Sequence, residues 1–187
     1  MTAIAVAEKK ITIPEFLDLD VEEGYIYELI NGIVMRRTSP DLIHQDASMM
    51  LSTLLNIFIL SKKLGKLYAA PTDVYLTQFD FIVPDLTFVA TGNPAVLHGS
   101  RCVQGIPDLI IEILSKGTQS VDRGRKMKQY EANKVPEYWI VDPRLQSIEV
   151  YELRDTGYEL VSYAEEEGEI VSSVLAEFRL DIGSVFV

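Results

Sequence analysis

PDLIIEILSK, residues 107–116, decides how the chain must fold. Leu109, Ile110, Ile111, Ile113 and Leu114 place apolar groups on both faces of an extended segment, the pattern of a strand covered on two sides. Glu112 interrupts that run. A bare carboxylate buried there costs several kcal/mol unless something shares its charge.

Working outward, residues 119–133 read as a basic helix directly after this strand, and EYWIVDP (137–143) as another apolar strand ended by Asp142-Pro143. Tyr138 and Trp139 lie on it as core residues. SIEVYEL and GYELVSYAE alternate and pair as a hairpin. Upstream, FIVPDLTFVA and KLYAAPTDVYLT read as one strand each, the first broken near its start by Pro84. Residues 91–106, with three glycines and a proline, read as a loop. Helical spacing of Leu42, Ile43, Met49, Met50, Leu54, Leu55, Phe58 and Ile59 predicts a helix over residues 40–63, ended by Gly65. YELINGIVMRR predicts a hairpin around Asn31-Gly32, and Thr12 with Glu15 a capping box. The sum is α/β: a mixed sheet flanked by helices, with an antiparallel C-terminal tail.

The 187 residues suit one domain spanning 1–187, with a core over about 10–155 and an acidic β extension over 156–187. No apolar run approaches the roughly 20 residues that span a bilayer. The first residues lack a basic stretch followed by an apolar one, so a cytoplasmic protein away from membranes is expected. Cys102 is the single cysteine, which excludes an internal disulfide. The net charge of −11 argues at first against a nucleic-acid partner. Its distribution softens that. Residues 145–187 hold ten acids against two bases, whereas residues 116–134 hold six bases (Lys116, Arg123, Arg125, Lys126, Lys128, Lys134) against two acids.

Asp85 in VPDLTFV joins Glu112 as a second acid on an apolar strand. On neighbouring strands, about 5 Å apart, the two carboxylates can coordinate one divalent cation, and hard oxygen ligands of this sort suit Mg²⁺ or Mn²⁺. Asp108 lies roughly 13 Å from Glu112 along a strand and is better placed as a turn residue.

VPD at 83–85, IEILS at 111–115, D-x-x-x-K at Asp122 to Lys126, Tyr130 and VPEYWIVDP at 135–143, in that order, resemble the Uma2-type endonucleases of the PD-(D/E)XK nuclease superfamily. YELINGIV and His44-Gln45 match the same family's N-terminal half. The resemblance covers about residues 10–155 and implies a restriction-endonuclease-like fold that cleaves phosphodiester bonds in DNA with Mg²⁺ or Mn²⁺. It implies Asp85 and Glu112 as metal-binding acids and Glu28 as an accessory acid. Leu114 stands where the superfamily's name places lysine; the resemblance moves that role to Lys126 on the following helix, and Lys116 does not match. His44, Arg123, Arg125, Lys128, Gln129 and Tyr130 are the candidate substrate contacts.

Metal-activated water and a lysine are what phosphodiester hydrolysis asks for. On this reading Lys126→Met leaves the fold and metal binding nearly intact while turnover collapses. Two rivals remain open: a catalytically silent nucleic-acid-binding or assembly protein on the same fold, and an unrelated hydrolase of a small phosphorylated molecule. A homodimer is compatible with the sequence.

Overall fold

The computed structural model describes residues 10–95 and 102–186. Thr12 opens the short helix α1 (Ile13–Leu17) with its capping box, Glu15 Oε2 accepting from the Thr12 backbone N–H at 2.7 Å. β1 (Ile26–Ile30) and β2 (Ile33–Arg37) form the expected hairpin, with Asn31 and Gly32 at φ values of 53° and 76°, the left-handed pair such a turn needs. α2 (Leu42–Lys62) is capped by Asp41, whose side chain accepts from the His44 N–H. Lys63, not Gly65, takes the left-handed cap position at φ 55°. Gly65 instead begins β3 (Gly65–Ala69), where a Cβ would sit 2.1 Å from the Val89 carbonyl oxygen of the adjacent strand.

β4 (Asp73–Thr77), β5 (Asp80–Ile82), β6 (Leu86–Ala90), β7 (Cys102–Gln104) and β8 (Leu109–Ile113) follow. Residues 66–77 and 81–90, each expected as one strand, are each divided between two sheets. The breaks fall at Pro71 and Pro84, which have no N–H to continue a ladder. β7 lies within the expected loop and pairs in parallel with β4; residues 96–101 of that loop lie outside the described residues. After β8 come a π-helical turn (Val121–Lys126) and α3 (Met127–Ala132). Then follow β9 (Glu137–Asp142), β10 (Ser147–Arg154), β11 (Gly157–Glu165), β12 (Glu169–Val171) and β13 (Arg179–Asp181).

A six-stranded sheet of order β11-β10-β9-β8-β6-β3 is the centre of the molecule, and only its β8–β9 pair is parallel. On one face Leu51, Leu55 and Ile59 of α2 and Leu175, Phe178 and Leu180 of the tail pack on Leu109, Ile111 and Trp139. On the other, Ile110, Leu114 and Tyr138 meet Ile30, Val74 and Ile82 of a five-stranded sheet (β2-β1-β5-β4-β7) and Tyr130 of α3. The two-sided cover expected for β8 is therefore present, and Tyr138 and Trp139 are core residues. The acidic tail, ending in the β12–β13 pair, shares this core. Glu137, fully buried, accepts from Trp139 Nε1 (2.7 Å), Ser172 Oγ (2.7 Å) and the Ser173 and Val174 N–H groups (2.6 and 3.1 Å), so one carboxylate ties the tail to β9. Among the described residues no helix is long and apolar enough to cross a membrane.

Candidate active site

Glu112 is on β8, facing the same side as Ile110 and Leu114. β6 runs antiparallel beside it with Leu86 opposite Ile111, so Asp85 falls opposite Glu112 one step beyond the paired residues. The Ile113 N–H donates to Asp85 Oδ2 at 2.7 Å, and His44 Nε2, from the first turn of α2, lies 3.1 Å from the same oxygen. Glu112 Oε1 accepts from Lys126 Nζ at 3.0 Å and from the Tyr130 hydroxyl at 2.6 Å. Lys126 Nζ also lies 3.0 Å from Glu28 Oε1 on β1 and 3.5 Å from Asp122 Oδ1. Glu28 Oε1 accepts from the Val83 N–H (2.9 Å), and Arg37 sits beside its other oxygen, with Nε 3.5 Å away and Nη2 donating to the Val83 carbonyl at 3.0 Å.

Helix geometry explains how Lys126 arrives. Asp122, Lys126 and Tyr130 are spaced four apart, which in a plain α-helix drifts steadily round the axis. The wider π turn over 121–126 drifts the opposite way, so the three side chains all face the sheet. All three are at most 1% exposed.

Four buried carboxylates, Glu28, Asp85, Glu112 and Asp122, surround two permanent cations, Lys126 and Arg37. Burial pushes the Glu112 carboxyl well above the usual carboxylate range; Asp122, Asp85 and Glu28 add to this and outweigh the opposing pull of Lys126. Burial also raises Asp122, against Lys126. Asp85 moves the other way. Burial alone would raise it, but the hydrogen bond and charge of His44, with Arg37 and the Ile113 N–H, hold it low. Burial opposes the charge on Lys126, yet Glu112, Glu28 and Asp122 more than compensate and raise its pKa, so the ammonium persists.

A cavity of about 10 Å³ lies between His44, Asp85, Glu112, Ser115, Thr118 and Lys126. A second, of about 20 Å³, is lined by Glu28, Met35, Arg37, Asp122 and Lys126 among others. Each has room for about one water. Among the described residues no group of three or more His, Cys, Asp or Glu side chains is arranged to hold a metal ion. What Asp85 and Glu112 offer is a pair of hard oxygen donors. That pair suits Mg²⁺ or Mn²⁺, which keep waters and take phosphate oxygens, rather than the three or four protein ligands of zinc. The contacts above fall on Asp85 Oδ2 and Glu112 Oε1, leaving the second oxygen of each to a cation.

The structure thus brings together Glu28, His44, Asp85, Glu112, Lys126 and Tyr130. His44 and Tyr130, expected as substrate contacts, are buried hydrogen-bond partners of the two acids. Arg123 is tied to Glu149 on β10 by two bonds of 2.6 and 2.9 Å, and Arg125 and Lys128 are exposed. None of Arg123, Arg125, Lys128 or Gln129 lines either cavity. Asp108 holds the Ala90 N–H and the Asn93 amide beside the start of β8, apart from the site. Sequence reasoning gave Asp122 and Arg37 no role. Asp122 carried a signal, an acid one helical turn before Lys126 in a basic segment; Arg37 carried none beyond its place at a strand end.

The profile of the Uma2 family, described as putative restriction endonuclease, matches residues 13–183. A crystal structure described as a putative nuclease belonging to DUF820, from Anabaena variabilis ATCC 29413, superposes with a TM-score of 0.76 at 22% identity, over 94% of this chain and 97% of that one. At that identity the likeness is one of fold. No curated protein matches the chain. A match reaching from the start of α1 to beyond β13 leaves one conclusion: the chain belongs to the Uma2 family.

Proposed function

We propose that the protein is a nuclease dependent on Mg²⁺ or Mn²⁺ that hydrolyses phosphodiester bonds in DNA. The observation that carries this reading is the convergence of Asp85, Glu112 and Lys126 at one end of β8, with Lys126 Nζ 3.0 Å from Glu112. Family membership and the neighbour described as a nuclease support it. Asp85 and Glu112 would hold the cation, which when bound makes its water acidic enough to attack phosphorus near neutral pH. His44 and the Ile113 N–H fix the orientation of Asp85, and Tyr130 that of Glu112. Lys126 keeps a permanent positive charge where charge gathers on phosphate oxygens. Glu28, held by the Val83 N–H and Arg37, anchors that lysine. Arg125 and Lys128 lie outside the cavities and would contact flanking phosphates. The proposed location is the cytoplasm.

A second reading, a catalytically silent nucleic-acid-binding member of the family, draws on two observations: Lys126 is 1% exposed, and it already serves three carboxylates. Incubation with supercoiled plasmid and Mg²⁺ or Mn²⁺ separates the readings. The nuclease nicks the plasmid and Glu112→Gln does not; the silent member leaves the plasmid intact yet retards it in a gel. Equal nicking by wild type and Glu112→Gln would place the activity elsewhere.

A further inference from the structure

α2 is apolar on two sides. Its inner side, Ala47, Leu51, Leu55 and Ile59, fills the core. Its outer side carries Leu42 (79% exposed), Met49 (67%), Ile57 (63%), Leu60 (64%) and, at the margin, Ile43 (49%). Of the 21 residues, only Asp46 and Lys62 bear a permanent charge. An amphipathic surface helix carries polar residues on its solvent side, so large apolar side chains clustered there mark a face that a partner covers. The outer side chains expose on the order of 500 Å², the size of the largest apolar patch on a typical monomer and more than half of what each partner gives to a standard interface.

We propose that this face is where two copies of the chain pack against each other, helix on helix and antiparallel. The seam itself selects that partner and that direction. Leu42, Asp46, Met49, Thr53, Asn56 and Leu60 follow one another at intervals of three and four residues, the spacing of a helix–helix contact line. A two-fold axis near Leu51 sets Leu42 of one copy against Leu60 of the other and Met49 against Thr53. Asp46 then meets Asn56, a carboxylate accepting from an amide. Parallel packing would oppose Asp46 to Asp46, like charge on like. A closed two-fold contact of this kind uses one patch on both copies, with Ile57 flanking the seam. The other occupants fit less well: the patch has no arginine and no lysine along its length, which phosphate backbones and anionic lipid surfaces both require. His44 lies on the inner side of α2, so neither copy's site needs residues from the other, and this inference stands apart from the proposed chemistry.

Sedimentation of the full chain at tens of micromolar tests it. The expected mass is twice the 21.0 kDa of one chain, falling to one chain in the Met49→Glu, Ile57→Glu double variant, whose circular dichroism stays that of the folded wild type. Direction is read by disulfide trapping in a Cys102→Ser background. Leu42→Cys chains mixed with Leu60→Cys chains should cross-link to each other, and Leu42→Cys alone should not. A monomeric wild type, a dimer that survives the double variant, or self-cross-linking of Leu42→Cys would each overturn the proposal.

Discussion

Lys126 Nζ lies 3.0 Å from Glu112 Oε1, although fourteen residues and a change from strand to helix separate them. Glu112 is tolerated inside the sheet because that ammonium and the Tyr130 hydroxyl share one of its oxygens. The same contact revises an expectation. Lys126 is no free-standing catalytic lysine; it is the buried cation that Glu28, Glu112 and Asp122 all use.

Lys126→Met should therefore cost stability as well as turnover. Removing one partner from a buried ionic cluster typically costs about 3 kcal/mol or more. Urea denaturation measures it, and pairing Lys126→Met with Glu112→Gln should return part of the loss. A wild-type midpoint in Lys126→Met would mean that the cluster does not hold the fold.

The sequence disclosed Asp85 and Glu112 because each broke a local rule, an acid inside an apolar strand, whereas Lys126 was singled out only by the family resemblance. It disclosed β8 because apolar residues on both faces flank Glu112, and the basic helix because six bases cluster directly after that strand. It did not disclose that 66–77 and 81–90 split between sheets, because Pro71 and Pro84 mark a break without saying that the chain changes partners there. Arg37 was silent for a related reason. Its contacts with Glu28 and Val83 are long-range, and nothing near residue 37 anticipates them.

Arg125 and Lys128 are the two bases of the helix with exposed side chains and no carboxylate partner among the described residues; Arg123 is committed to Glu149. If both bind phosphates, changing them to Ala should reduce the slope of log affinity for duplex DNA against log salt by nearly 2, about 0.9 for each phosphate no longer neutralised. Arg123→Ala should change it much less. Equal effects at all three positions would show that the ion pair with Glu149 opens on binding.

The Arg123–Glu149–Tyr151 group makes stability pH-dependent in two windows. Burial raises Glu149, but hydrogen bonds from Arg123 and Tyr151 outweigh it and hold the carboxyl low. Its contribution is present above the unfolded carboxyl's pKa and is lost as pH falls through the folded one. Burial and the bond to Glu149 push Tyr151 up to about 12, from an ordinary 10.0. The unfolded chain then releases that proton first, so stability declines as pH climbs from 10.0 toward about 12. Melting curves of wild type and Tyr151→Phe should differ in both windows and run parallel between them. A difference that does not vary with pH would rule out the linkage.

Glu137 is the clamp of the C-terminal tail. Glu137→Leu leaves the Trp139 N–H and the Ser173 and Val174 N–H groups without their acceptor, each a loss of about 1–3 kcal/mol where it stays buried. Hydrogen exchange should show protection falling at Ser173 and Val174 before β8. Uniform loss across the chain would mean that the tail and the central sheet open together.

The central claim is that Asp85 and Glu112 share one divalent cation at the end of β8. Diffraction from crystals soaked in Mn²⁺, collected for its anomalous signal, tests this most directly. One strong peak is expected in the cavity beside Lys126, roughly 2.1 Å from an oxygen of each acid. A peak bound at other acids, with Asp85 and Glu112 unchanged, would contradict it.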